Sequence, residues 1–262
     1  MLILCLGSHS KILSHMLHLN TIDPPLFQVL VDLSQLPELS NFSLVGGTSL
    51  SLQLGHRKSD DLDFFTDRSF DIREVKDAII RYNSRVIFIN ETRQGISFSL
   101  PLSDSDDDDL RKLDVYNWAV KFIRPIKQEE GIRLASLEDI AAFKLDVICH
   151  RKEKKDYVDI AVLLEIFSFG QMLDFYREKF PMNDKRIVLT QILDTEGLEN
   201  SVEPVMLIDL SPAQALQQIK QKIAIFTATE IQAKNSLEED RAKRLAELVN
   251  KRSQGNQNKS GN

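Results

Sequence analysis

Cysteine is scarce in this chain: its 262 residues contain two, Cys5 and Cys149. They lie far apart and form no Cys-x-x-Cys pair, which argues against a disulfide framework and against a zinc site. A reducing cytoplasm is then the expected compartment. Positive charge is also in deficit. Lys and Arg number 33 against 39 Asp and Glu, a formal net charge of -6. No global basic field announces nucleic-acid binding, so any RNA or DNA contact has to come from a local patch or from metal-bridged chemistry. A long apolar run is missing too. The opening MLILCLG has no Lys or Arg before it and is soon interrupted by Ser8 and Ser10, so it is too short to span a bilayer and makes a poor signal peptide. The coherent fold signal begins near Asp23-Pro24-Pro25, which leaves Met16 as an alternative start. No internal repeat is found.

What remains is an ordinary globular composition, 42% hydrophobic and 27% charged, long enough for a sizeable core and two subdomains. Apolar residues at helical spacing predict a helix over 25–36, ended before Pro37. A short strand over 42–45 runs into Gly46-Gly47, followed by a brief helix over 48–54 that Gly55 stops. Residues 61–66 read as a second strand, 72–82 as a helix, and 85–89 with 96–100 as paired strands. The acidic stretch 103–109, with five aspartates, lacks the glycine and closing glutamate of an EF-hand loop and reads as a solvated connection. A strand over 113–118 and a linker over 125–134 follow. Beyond it the pattern turns helical: Ser136-Leu137-Glu138-Asp139 opens a helix to about residue 151, and 156–167 forms another. The region 181–206 is less regular, 212–227 is helical, and a charged helix after Ser236 ends near residue 250 in a polar tail.

The informative stretch is VGGTSLSLQLGHRKSDDLDFF. A strand ending in two glycines, then a helix start, makes a cradle for phosphate. Glycine has no Cβ to hold an anion off, and the free N–H groups at the helix N-terminus point at it. Gly46 and Gly47 give the approach, and Thr48 or Ser49 adds a hydroxyl donor. Asp61 and Asp63, two apart on a predicted strand, face the same side, while Leu62 and Phe64 face the other. Two like charges so close are unfavourable without a cation between them, and Mg2+ suits a few carboxylates plus phosphate oxygens. Asp60 has the opposite parity.

Hydrophobic-Gly-Gly, about a dozen residues, then Asp-hydrophobic-Asp-hydrophobic resembles the signature of polymerase-β-like nucleotidyltransferases. LVGGTSLSLQLGHRKSDDLDFF, followed by EEGIRLASLEDIAAFKLDVICHRKEKKDYVDIAVLL, is similar to the AbiEii/AbiGii toxin family, with weaker echoes in PVMLIDL. The resemblance implies an α/β fold: a small mixed sheet flanked by helices, then a mainly helical C-terminal part. The expected division is a catalytic domain over 1–124, a helical domain over 125–235, and a charged helix with its tail over 236–262.

It also implies Mg2+-dependent transfer of a nucleoside monophosphate from a nucleoside triphosphate to an acceptor, RNA such as tRNA, by a toxin opposed by an antitoxin from a neighbouring gene. Asp114 matches the family's third metal-binding carboxylate; a lone Asp in a strand otherwise reads as an edge residue. Lys144 falls in the family's Lys-Leu block, where it would contact the triphosphate; taken alone it reads as a surface lysine. Asp156 and Asp159 match a Lys-Asp-x-x-Asp block, in competition with helix capping, and Asp159 takes the nucleotide-site assignment. Arg151 shares the Lys144 helix face. His56 and Arg57 fit either a loop anchor or substrate contact. A same-fold transferase acting on a small molecule or protein, and a catalytically silent binding module, are the rival readings.

Overall fold

The structure is a computed structural model that describes residues 16–102 and 109–257. The opening apolar segment, most of the acidic stretch 103–109 and the last tail residues lie outside the described residues.

Pro24 and Pro25 start α1 (Pro24–Gln35), where their missing N–H groups cost nothing. Its Leu26, Leu30 and Leu33, at positions i, i+4 and i+7, are fully buried. A two-residue strand β1 (Ser43–Leu44) leads into α2 (Gly46–Leu54), which Gly55 ends in the left-handed conformation at φ 71°. Strand β2 (Leu62–Thr66), helix α3 (Ile72–Tyr82) and strands β3 (Ile87–Glu91), β4 (Gly95–Pro101) and β5 (Leu110–Asn117) follow.

The stretch expected as a linker is instead a hairpin, β6 (Lys127–Glu129) and β7 (Ile132–Leu134). Its turn is Glu130-Gly131, both at positive φ, and β7 pairs in parallel with β1. The seven-stranded sheet therefore runs past residue 124, in the order β3-β4-β5-β2-β1-β7-β6.

Alternation gives that sheet two unlike faces. Leu62, Phe64, Ile96, Phe98, Leu113 and Val115 point into one core with α1 and α3. The other parity carries Asp63, Phe65, Ser97, Asp114 and Tyr116. This second face looks toward helices α4 (Leu137–Val147), α5 (Lys154–Leu163), α6 (Phe169–Lys179), α7 (Lys185–Leu193) and α8 (Pro212–Gln257), which share a second core with Val45 and Leu50.

Helix α4 stops at Val147, four residues short of expectation, and α5 starts at Lys154, two early. Asp156 is thus inside the first turn of α5, with Glu153 at the cap, and not an N-cap. Helix α6 was not foreseen, and α7 lies in the region read as irregular. The two C-terminal helices are one continuous helix. The sheet is bolted to the helices through Asp139, which accepts the Ile123 and Arg124 N–H groups and the buried Lys179 ammonium (2.7 Å). No helix of the described residues is long and apolar enough to cross a membrane.

Candidate active site

The turn from β1 into α2 is shaped by what lies against it. Gly46 opens the helix at φ 68°, a region that L side chains rarely adopt. A Cβ there would come within 2.3 Å of Asp63 Oδ2, and one on Gly47 within 2.2 Å of Arg57 Nη2. The glycine pair thus lets a carboxylate and a guanidinium approach the backbone directly. The first N–H groups of α2 have no partner within the helix and are available to an anion. The hydroxyls expected to assist are engaged within the protein. Thr48 donates to the Asp61 carbonyl and bonds Ser59 Oγ (2.9 Å). Ser49 is fully buried and accepts from the Gln53 amide (3.2 Å).

Asp61 sits one residue ahead of β2, and Asp63 lies in it. In the parallel ladder between β2 and β5, Asp63 is directly opposite Asp114. Asp114 accepts from Ser97 Oγ (2.6 Å) on β4 and from Lys112 Nζ (2.5 Å). Burial pushes the Asp63 carboxyl up to about 6, and the charges of Asp114 and Asp61 add to it, against opposition from Lys112 and Lys144. Such mutual repulsion among hard oxygen donors is relieved by a divalent cation, so the donor set fits Mg2+. No three His, Cys, Asp or Glu side chains among the described residues already stand in a metal-binding arrangement.

The residues of the second sequence block meet elsewhere, behind the glycine turn. Lys144 is buried, with its ammonium 2.8 Å from Asp156 Oδ1 and 2.5 Å from Asp159 Oδ2. Asp159 also receives His56 Nε2 (2.8 Å) and both Nε (2.7 Å) and Nη2 (2.9 Å) of Arg57. Asp156 takes Arg151 Nε at 3.0 Å. Burial would raise the Asp159 carboxyl, but Arg57 and Lys144 outweigh it and hold it well below the usual range. Burial would likewise lower the Lys144 ammonium, and Asp156 and Asp159 outweigh it upward. Lys144 is therefore no surface lysine, and its charge is committed to two carboxylates. Arg57 is gripped by Asp159, lies under Gly47 and reaches the wall of the adjoining cleft.

A family model described as nucleotidyl transferase AbiEii toxin, type IV TA system, matches residues 28–250. The chain belongs to the AbiEii nucleotidyl transferase toxin family. Uncharacterized protein aq_aa25 of Aquifex aeolicus is 33% identical over 169 residues, 62% of this chain and 78% of that one. Among solved structures, MenT4, a nucleotidyltransferase toxin from Mycobacterium tuberculosis H37Rv, shares the fold with a TM-score of 0.53. It is 15% identical, over 78% of this chain and 86% of that one. JHP933 from Helicobacter pylori gives a TM-score of 0.46 at 20% identity, over 82% and 94% of the two chains.

The AbiEii chain is a nucleotidyltransferase, and two features around its acids were not read from the sequence. A cleft of about 890 Å³ opens beside Asp61, lined by Lys58, Asp60, Arg111, Lys152 and Lys155 among others. Lys155 Nζ lies 3.6 Å from Asp61 Oδ2. Lys152 and Lys155 fall in the charged run 151–155, which taken alone reads as a solvated connection, and Lys58 and Arg111 come from distant segments, so no single motif signals the cleft. On the acid face itself stand Phe65, Tyr116 and Trp118. Their parity with Asp63 and Asp114 was the available signal.

Proposed function

We propose that this AbiEii chain transfers a nucleoside monophosphate from a nucleoside triphosphate to RNA. The observation that carries this is the register of β2 against β5, which sets Asp63 beside Asp114 and next to the Gly46-Gly47 turn. In this reading Asp61, Asp63 and Asp114 hold Mg2+. The ions supply charge neutralisation at the phosphates and a more acidic acceptor hydroxyl. The N–H groups at the start of α2 orient the phosphates. The acceptor oxygen bonds to the α-phosphorus as the bond to pyrophosphate breaks, and Asp114 receives the hydroxyl proton. Lys144 and Asp159 act from beneath by fixing Arg57 and hence the turn; a direct contact of Lys144 with the triphosphate would require it to release a carboxylate.

The biological setting in this reading is a cytoplasmic toxin, of the abortive-infection type, restrained by an antitoxin from a neighbouring gene. Supplying each labelled nucleoside triphosphate with Mg2+ and total cell RNA, and separately with protein extract, tests the acceptor. Label is expected in RNA; label only in protein, or in neither, overturns the reading. Asp114→Asn is expected to lower turnover sharply while leaving triphosphate affinity within a few-fold, because a general base acts in the transition state. A proportionate loss of affinity would remove Asp114 from that role.

A further inference from the structure

The acid-bearing face does not end at the acids. Two residues beyond Asp63 in β2 is Phe65, and two beyond Asp114 in β5 is Tyr116, paired with it across the same ladder. Trp118 comes two residues later. The Phe65 and Trp118 rings are stacked, with centroids 4.9 Å apart and 15° between planes. Tyr116 meets Phe65 edge-on at 6.4 Å, and its hydroxyl lies 2.9 Å from Ser97 Oγ, the group that donates to Asp114. Phe143 of α4 closes one side, perpendicular to Trp118 at 5.6 Å. Core packing accounts for Phe65 and Phe143, but not for Trp118, which keeps 36% of its surface open. At about 3.3 Å per residue, Tyr116 stands roughly 7 Å and Trp118 roughly 13 Å along the chain from Asp114.

The surroundings of the acids are polarised along β2. At the Asp61 end lies a charged cleft, where Lys58, Arg111, Lys152 and Lys155 stand among Asp23, Asp60, Glu153 and Glu203; at the Phe65 end the rings of Phe65, Tyr116, Trp118 and Phe143 predominate. A nucleotide has the same polarity, with its charge at the phosphates and a flat uncharged ring at the other end. We propose that Phe65, Tyr116 and Trp118 form a stacking shelf for a nucleobase, on which the base of the incoming nucleoside triphosphate lies while its phosphates reach the acids. The shelf rests on the nucleotidyltransferase reading above. Stacking on an aromatic face tolerates any base, so the shelf holds the nucleotide without choosing among bases by hydrogen bonds.

Trp118 is the only tryptophan in the chain, so its fluorescence reports on the shelf alone. The whole protein is titrated in Mg2+ with each nucleoside triphosphate, with inorganic triphosphate and with a short single-stranded RNA, while equilibrium dialysis measures binding separately. Nucleoside triphosphates are expected to quench Trp118, and inorganic triphosphate to bind without quenching. Trp118→Ala should weaken nucleoside triphosphate binding on the order of ten-fold and leave inorganic triphosphate binding unchanged. Trp118→Phe should restore most of the loss, which a merely structural role would not do. Quenching by the RNA alone keeps the nucleobase shelf and gives it to the acceptor. If dialysis shows nucleoside triphosphate bound, while neither ligand alters the emission and Trp118→Ala binds normally, the shelf is overturned and the nucleotidyltransferase reading stands. No Mg2+-dependent binding of any ligand overturns both.

Discussion

Asp63 and Asp159 stand on either side of one glycine turn, the first partly and the second fully buried, yet they end at opposite extremes of the carboxylate range. Asp63 is surrounded by its own kind, and burial together with Asp114 and Asp61 raises it to about 6. Asp159 is ringed by Arg57, Lys144 and His56, which overcome the burial effect and depress it. Burial has the same sign at both sites; the neighbours decide the outcome. A carboxylate repelled by its neighbours is poised to receive a cation. One already saturated with hydrogen bonds holds chain segments together. Strand parity already pointed to Asp63, whereas resemblance alone assigned Asp159 to the site, and its partners set it apart.

The sharpest way to break this contrast is Asp63→Asn, which is expected to abolish transfer yet stabilise the metal-free protein. Because the Asp63 carboxyl binds its proton more readily in the folded state, the stabilisation from that proton is fully present below the ordinary value near 4 and is lost as pH rises through about 6. In chelator at pH 7.5 the variant should be more stable than the parent by up to about 3 kcal/mol. That margin should shrink from pH 6 to pH 4. Denaturant unfolding at several pH values measures it, and a variant less stable at pH 7.5 would contradict the picture of a repelled carboxylate.

Asp159→Ala should go the other way. It leaves Arg57 and Lys144 buried without their shared counter-ion, at a cost of about 3–5 kcal/mol. The Asp159 contribution is present above the ordinary carboxylate value and lost only as pH falls through its depressed one. Urea unfolding near neutrality should therefore show the whole loss, and a cost below about 1 kcal/mol would mean that the network holds nothing. Gly46→Ala comes next. The positive φ alone costs about 1–2 kcal/mol, and the new methyl collides with Asp63 Oδ2, so transfer should fall further than the modest drop in melting temperature suggests. The smallest effect is expected at Lys112, which is half exposed beside Asp114. Lys112→Ala should change stability by less than about 1 kcal/mol, as thermal unfolding would show.

Features carried by local spacing were legible in the sequence. The order of elements through β5 and the shared parity of Asp61 and Asp63 came from period-two and period-3.6 patterns, and the glycine turn from a strand running into a helix. The hairpin β6–β7 was not legible, because three-residue strands are too short to show a period and the flanking Pro125 suggested a linker. Partnerships across the chain were equally out of reach. Arg57 and Asp159 are 102 residues apart, and Asp156 looked like a cap because its true partners, Lys144 and Arg151, are set by how α4 packs on α5. For the same reason the sequence could offer Lys144 a surface or a phosphate, but not two buried carboxylates.

The ladder that pairs Asp63 with Asp114 has a consequence for how this gene can change length. One codon gained or lost within β5 ahead of Asp114 would turn that carboxylate into the core now filled by Leu113 and Val115, and bring an apolar side chain to the acid face. Two codons would restore its orientation, displaced by one pleat. Length variation in this strand should therefore be tolerated by twos and not by ones, as a library of single- and double-codon insertions scored for soluble protein would reveal.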